Sequence, residues 1–334
     1  MKKTLFAIGS LFLVLACNDV IFEEELASSS PTANFEYLWR ECDEKYSFFE
    51  VKNIDWDEVY SRYRPRINEG MSRLELFDVL GEMLTELRDD HTNLISRFNI
   101  SFFGVQNEGP DNFDFRIITD HYLPRDYFIS GPFIHDFIEN GEIGYIRFGS
   151  FTGGVSNFNM SFILSRYRDT QGIILDMREN GGGSVSDIFD LLSHFVTERT
   201  ELYRSRIKNG PGRDDFSELE SAFVAPSTGF NYTGKVMVLV DRGTFSAGSF
   251  TALATKALPN MVLMGDTTGG GLGLPNGGQL PNGWTYRFSV TQTLDLNGNN
   301  FENGVPPDII ALLNREDTSR DEVIDRAVLE IMNN

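Results

Sequence analysis

The stretch Val236-Met237-Val238-Leu239-Val240-Asp241-Arg242-Gly243-Thr244-Phe245-Ser246-Ala247-Gly248-Ser249-Phe250 leaves few folds open. An unbroken apolar run ends at Asp241, a Gly-Thr turn follows, and Phe250, Leu253, Ala254 and Ala257 then recur at helical spacing. This is the pattern of buried strand, turn and helix. The chain contains it twice: Gly172 to Asp176 leads through Met177-Arg178-Glu179-Asn180-Gly181-Gly182-Gly183-Ser184 into a helix with Ile188, Leu191, Leu192 and Phe195 inward. A helix is expected before each of these strands, which predicts parallel strands in an α/β domain.

Both turns suit chemistry. Ser246 opens its helix, so its hydroxyl projects from the end of a sheet among unpaired N–H groups, an arrangement that fits a nucleophile as well as a simple helix cap. Bare N–H groups after the first strand could bind a phosphate, but no lysine follows the last glycine, so the phosphate-loop motif fails. The same donors could hold the oxyanion of a tetrahedral intermediate. Without that chemistry, the glycines make a tight turn and Asp176 with Arg178 a structural pair.

Around these units the organisation is coarser. Lys2 and Lys3 precede an apolar run from Leu5 to Ala16, too short to span a membrane and typical of a secretory signal. The acidic, Ser-rich residues that follow, to Ser30, form a tether over 17–30. Residues 31–97 form a small helical domain: Pro31 starts a helix with Phe35, Leu38, Trp39, Cys42 and Tyr46 on one side, and Asp55 with Glu58 and Ser72 with Glu75 form capping boxes. Cys42 reads as a small buried hydrophobe. Residues 98–140 read as short β-rich pieces, and 141–334 as the α/β domain. Within it, 201–208 is an edge-like strand, 209–233 a long polar loop, and 284–293 one strand. With 49 acidic against 29 basic residues and no basic cluster, nucleic acid is excluded as a partner.

His91 sits in Arg88-Asp89-Asp90-His91, at the exit of an apolar helix, where an imidazole is placed to move protons or is simply solvated. Asp89 and Asp90 are adjacent and do not face one another as a glycosidase pair would. His121, His135 and His194 lack ligand spacing, so no metal and no cofactor is expected.

Taken in order, Gly172 to Gly183, Thr244 to Gly248, Gly265 to Gly270 and Glu302 to Asp308 resemble the motifs of the tail-specific (C-terminal processing) serine peptidases. The resemblance implies a crotonase/Clp-protease-like α/β catalytic domain with a small N-terminal helical domain, and Ser246 as nucleophile. It also implies an oxyanion hole from the N–H groups of Ala247 and a glycine near Gly182. Typical members use a lysine base after the nucleophile helix, yet residues 265–273 hold no lysine. Lys235 is a strand length away, and Lys256 lies roughly 15 Å along the helix at about 1.5 Å per residue. The tricorn-core subgroup takes a histidine from the end of the helical region and a glutamate before a Pro-Asp pair, which His91 and Glu302 match. Residues 98–140 are too short for a complete PDZ-type domain. Val14-Leu15-Ala16-Cys17 resembles a bacterial lipobox, implying a signal over 1–16, lipidation at Cys17 and anchoring to an envelope membrane. The expectation is an envelope serine endopeptidase acting on unfolded or extended polypeptide. The alternative is a noncatalytic module binding an apolar ligand or peptide on the same fold.

Overall fold

The computed structural model describes residues 29–333, so the signal over 1–16, Cys17 and most of the tether lie outside the described residues. In chain order the elements are α1 (Pro31–Lys45), α2 (Trp56–Tyr63), α3 (Arg73–Thr85), β1 (Asn93–Ile95), α4 (Phe115–His121), β2 (Phe128–Ser130), β3 (Phe133–Ile138), β4 (Ile143–Phe148) and α5 (Asn157–Arg166). There follow β5 (Gly172–Asp176), α6 (Ser186–Leu192), β6 (Thr200–Ile207), β7 (Glu220–Val224), β8 (Lys235–Val240), α7 (Ala247–Thr255) and β9 (Met261–Gly265). The chain continues with β10 (Pro275–Gln279), β11 (Thr285–Ser289), β12 (Thr291–Leu294), β13 (Ile309–Ile310) and α8 (Glu322–Met332). Among the described residues, no helix is long and apolar enough to cross a membrane.

The central sheet has seven strands in the order β13-β9-β8-β5-β4-β3-β2. From β13 to β4 all neighbours are parallel, while β3 and β2 add an antiparallel edge. Alternation along β8 explains why its apolar run is unbroken. Val236, Val238 and Val240 pack towards α5, α6 and α7, whereas Met237 and Leu239 pack towards α4 and α8. Each fully buried aliphatic side chain of this kind contributes about 1.5 to 3 kcal/mol.

The N-terminal helices form a second core, in which Phe35, Leu38, Trp56, Leu80 and Leu84 meet Trp284, Tyr286 and Phe288. Ser72 and Glu75 make the reciprocal capping box of α3. At Asp55 only half of a box forms: its side chain accepts from the Glu58 N–H. Cys42 is a free, buried thiol in this core.

Some expectations are corrected. Thr200–Ile207 is the middle strand of the sheet β12-β6-β7, because β7 forms inside the span read as a loop. The span 284–293 splits into β11 and β12, which join different sheets. Between residues 98 and 140 the chain also forms α4, with Asp114 as its cap.

Candidate active site

Ser246 immediately precedes α7 and has φ +54° and ψ −124°, a conformation that a non-glycine residue holds only when its surroundings force it. Those surroundings are explicit. The Ser246 N–H donates to Gly270 O at 3.0 Å, the Phe245 N–H to Asn180 O at 2.9 Å, and the Phe250 N–H to Ser246 O at 2.9 Å. Asp241, at the end of β8, accepts from the Glu179 N–H at 2.8 Å and the Thr244 N–H at 3.0 Å, tying the serine turn to the glycine turn after β5. Ser249 is buried, its hydroxyl in hydrogen-bond contact with Thr244 O, to which it donates, and with Thr268 Oγ1, both at 2.9 Å.

The glycine turn lies against the serine. A Cβ placed on Gly182, whose φ is +92°, would stand 2.8 Å from Ser246 Cβ and 2.9 Å from Ala247 N. Only glycine permits that approach. The Gly182 N–H itself donates to Asn180 Oδ1 at 3.0 Å. The N–H groups of Gly181 and Gly183 donate in no hydrogen bond among the described residues. Ala247, first in α7, has by position no intrahelical acceptor.

His91 arrives from the other core. Arg88, with φ +48°, turns the chain away from the end of α3, and pairing of β1 with β11 fixes the segment that follows. His91 Nε2 lies 3.0 Å from Ser246 Oγ, and its ring is 4.8 Å from that of Phe245. Burial lowers the imidazole pKa, opposed by the charge of Asp89, which favours the neutral ring that can accept a proton. Nδ1 is buried without a hydrogen-bond partner among the described residues, although the backbone of Gly273 lies close enough to favour a proton on the ring.

Glu302 is buried against the segment Leu272–Gly273. Its Oε2 accepts from the Leu272 N–H at 2.7 Å, while Oε1 has no hydrogen-bond partner among the described residues and stands 3.6 Å from Lys52 Nζ. Its pKa is pushed up to about 8, first by burial and then by Asp89, against the pull of Lys52 and of the Leu272 N–H. Glu302 and His91 are thus joined through one stretch of backbone and through Asp89, not by a direct hydrogen bond.

The two adjacent aspartates divide their work. Asp89 accepts from the His91 N–H and from Ser289 Oγ, both at 2.8 Å, in a buried position beside the ring. Asp90 faces away and accepts from the N–H groups of Phe103, Gly104 and Val105. Those bonds shape one wall of a cavity of about 370 Å³, lined among others by Val105, Pro110, Glu179, Arg242 and Phe245. The cavity opens beside the serine turn. Both lysines weighed as bases are engaged elsewhere, Lys256 with Asp308 at 3.0 Å and Lys235 with Glu330 O.

Lys52 was not legible as a site residue. Glu50-Val51-Lys52-Asn53 carries no motif, and only the fold reveals that the Lys52 ammonium is inside. The role of Asp89 had a signal in its position two residues before His91.

Comparison with known proteins follows the same lines. The peptidase family S41 model matches residues 142–311, and the tricorn protease C1 domain model matches residues 29–85. The carboxy-terminal processing protease CtpB of Bacillus subtilis (strain 168) is 25% identical over 163 residues, 48% of this chain and 32% of that protein. CtpA of the same organism is 25% identical over 182 residues, 54% of this chain and 37% of that protein. The chain therefore spans about a third of the length of these curated relatives. A candidate peptidase of known structure from Parabacteroides merdae ATCC 43184 superposes with a TM-score of 0.88 at 39% identity, over 91% of this chain and 98% of that one. Mature CPAF superposes with a TM-score of 0.70 at 14% identity, over 91% of this chain and 98% of that chain, a likeness of fold.

Proposed function

Since the chain belongs to peptidase family S41, we propose that it is a serine endopeptidase that hydrolyses unfolded or extended polypeptide at Ser246. The observation that carries this reading is the 3.0 Å approach of His91 Nε2 to Ser246 Oγ, with the serine held in a strained turn. In the proposed reaction Ser246 attacks the scissile carbonyl, His91 takes its proton and returns it to the leaving amine, and Glu302 steadies the imidazole from behind. The oxyanion is received by the Ala247 N–H and by the glycine turn centred on Gly182, whose own N–H is aimed at Asn180.

The peptidase unit would run over 141–334, with the helical region 31–97 supplying His91 and the segment 98–140 standing where a PDZ domain is incomplete. We further propose that the mature protein is anchored in the cell envelope through a lipid on Cys17. Cys17→Ser should then release it from the membrane fraction and abolish lipid labelling; unchanged fractionation without any lipid label on the parent protein would end that reading.

The decisive experiment is a fluorophosphonate probe on the native protein, with casein hydrolysis alongside. Labelling that disappears in Ser246→Ala, together with hydrolysis, is the expected result. A folded protein whose Ser246 resists the probe would instead be a noncatalytic module binding an apolar ligand or peptide.

A further inference from the structure

Lys52 occupies an unusual position for a lysine. It is 6% exposed, lies in the turn after α1, and reaches into the site from the helical core. Its Nζ donates to Arg88 O at 2.9 Å and to Asn303 Oδ1 at 3.3 Å, and stands 3.6 Å from Glu302 Oε1. The Arg88 guanidinium in turn donates to Lys52 O. Lys52 and Arg88 are thus clamped reciprocally, side chain to backbone in each direction. One ammonium therefore touches the turn that delivers His91 three residues later and the loop that carries Glu302.

We infer that Lys52 is a positioning residue for the reaction: its ammonium locks the Arg88–His91 turn to the Glu302 loop and stabilises the charged form of the Glu302 carboxylate. This rests on the reading of Ser246, His91 and Glu302 as the reacting set. The physical need is plain. A buried carboxylate beside another carboxylate resists ionisation, and a cation close by is what offsets that resistance. The charged groups facing Glu302 are Lys52 and Asp89, with the Tyr46 phenol at the same place. Asp89 opposes ionisation, whereas Lys52 favours it. A purely structural lysine would need only its two carbonyl-type acceptors, Arg88 O and Asn303 Oδ1. The third neighbour, Glu302 Oε1, is buried and has no hydrogen-bond partner among the described residues.

The test follows Glu302 itself, by nuclear magnetic resonance of protein labelled at the Glu side-chain carboxyl carbon and assigned by loss of the signal in Glu302→Gln. Lys52→Met should move the Glu302 titration to higher pH, and Lys52→Arg should hold it nearer the parent. Each unit of that displacement removes a factor of about ten from the ionised fraction on the acid side. Turnover of Lys52→Met should accordingly fall most near neutral pH and recover as the medium becomes alkaline, chiefly in kcat rather than KM. In the Glu302→Gln background the same substitution should leave the pH profile unmoved. If Glu302 titrates identically in Lys52→Met and the parent, or if activity falls equally at every pH, the inference is overturned. Should Lys52→Met fail to fold, the Nζ resonance of Lys52 in the unaltered protein must respond as Glu302 ionises, and an indifferent Nζ would overturn it. Neither titration requires hydrolysis. Failure of the peptidase reading, seen as absent labelling of Ser246, is thus told apart from failure of this one.

Discussion

Ser246 Oγ and His91 Nε2 lie 3.0 Å apart although 155 positions separate them in the chain. Two different cores deliver the pair: the central sheet presents the serine at the end of β8, and the helical core, closed by β11, presents the imidazole after α3. The contact therefore depends on how the two cores are joined.

If His91 is the base, His91→Ala removes the proton acceptor and should cost on the order of 100 to 10,000-fold in turnover. Lys256→Ala and Lys235→Ala should leave turnover largely intact, because their ammonium groups are held by Asp308 and by Glu330 O. Single-turnover hydrolysis of casein, with circular dichroism to verify folding, decides between them. A dead lysine variant beside an active His91→Ala would restore a Ser-Lys mechanism.

Gly182→Ala places a methyl group 2.8 Å from both Phe245 O and Ser246 Cβ, at a φ of +92°. Backbone cannot yield as a flexible side chain would, so the turn must retreat from the serine. We expect the rate of fluorophosphonate labelling to fall on the order of 100-fold or more. Labelling at the parent rate would mean that the glycine turn takes no part.

The two strand-turn-helix units were legible because burial on both faces leaves a continuous apolar run, and a turn serine or glycine run punctuates it. The parallel order of β4, β5, β8 and β9 follows from the helices between them. Less legible was β7: it is partly exposed, and without a strong alternation Glu220–Val224 was indistinguishable from loop, so β6 read as an edge rather than a middle strand, and β11 and β12 read as one strand. For the site, Ser246 and the glycine turn carry local signals. His91 and Glu302 carry almost none, since what qualifies them is distance through space. Glu302 was reachable only by resemblance, and Lys52 not at all.

Beneath the sheet, Arg178 is fully buried and pairs with Asp176 at 2.6 Å and Asp321 at 2.9 Å. Asp321 also caps α8, accepting from the Val323 and Ile324 N–H groups at 3.0 Å. Arg178→Leu would strand two buried carboxylates, which typically costs about 3 to 5 kcal/mol. Urea unfolding should show that loss, and proteolysis should begin near α8. A variant of unchanged stability would show that the network is replaceable by apolar packing.

The pH dependence of turnover separates the two titrating members of the site. Burial lowers the His91 pKa, so the neutral base is present above a point that lies below the ordinary imidazole value of about 6.5, and is lost as pH falls through it. Glu302 moves the other way: its pKa is pushed up to about 8, so the carboxylate is present above that point and the neutral acid below it. If the charged form is what steadies the imidazolium, kcat should rise in two steps, the upper near pH 8. Glu302→Gln has nothing to ionise there. It should lose the upper step, keep the lower, and run at a reduced plateau, because an amide cannot offset the charge that His91 acquires. A stopped-flow pH profile of both proteins reads this directly. An upper step that persists in Glu302→Gln would belong to another group, and Glu302 would then have no share in the proton transfer.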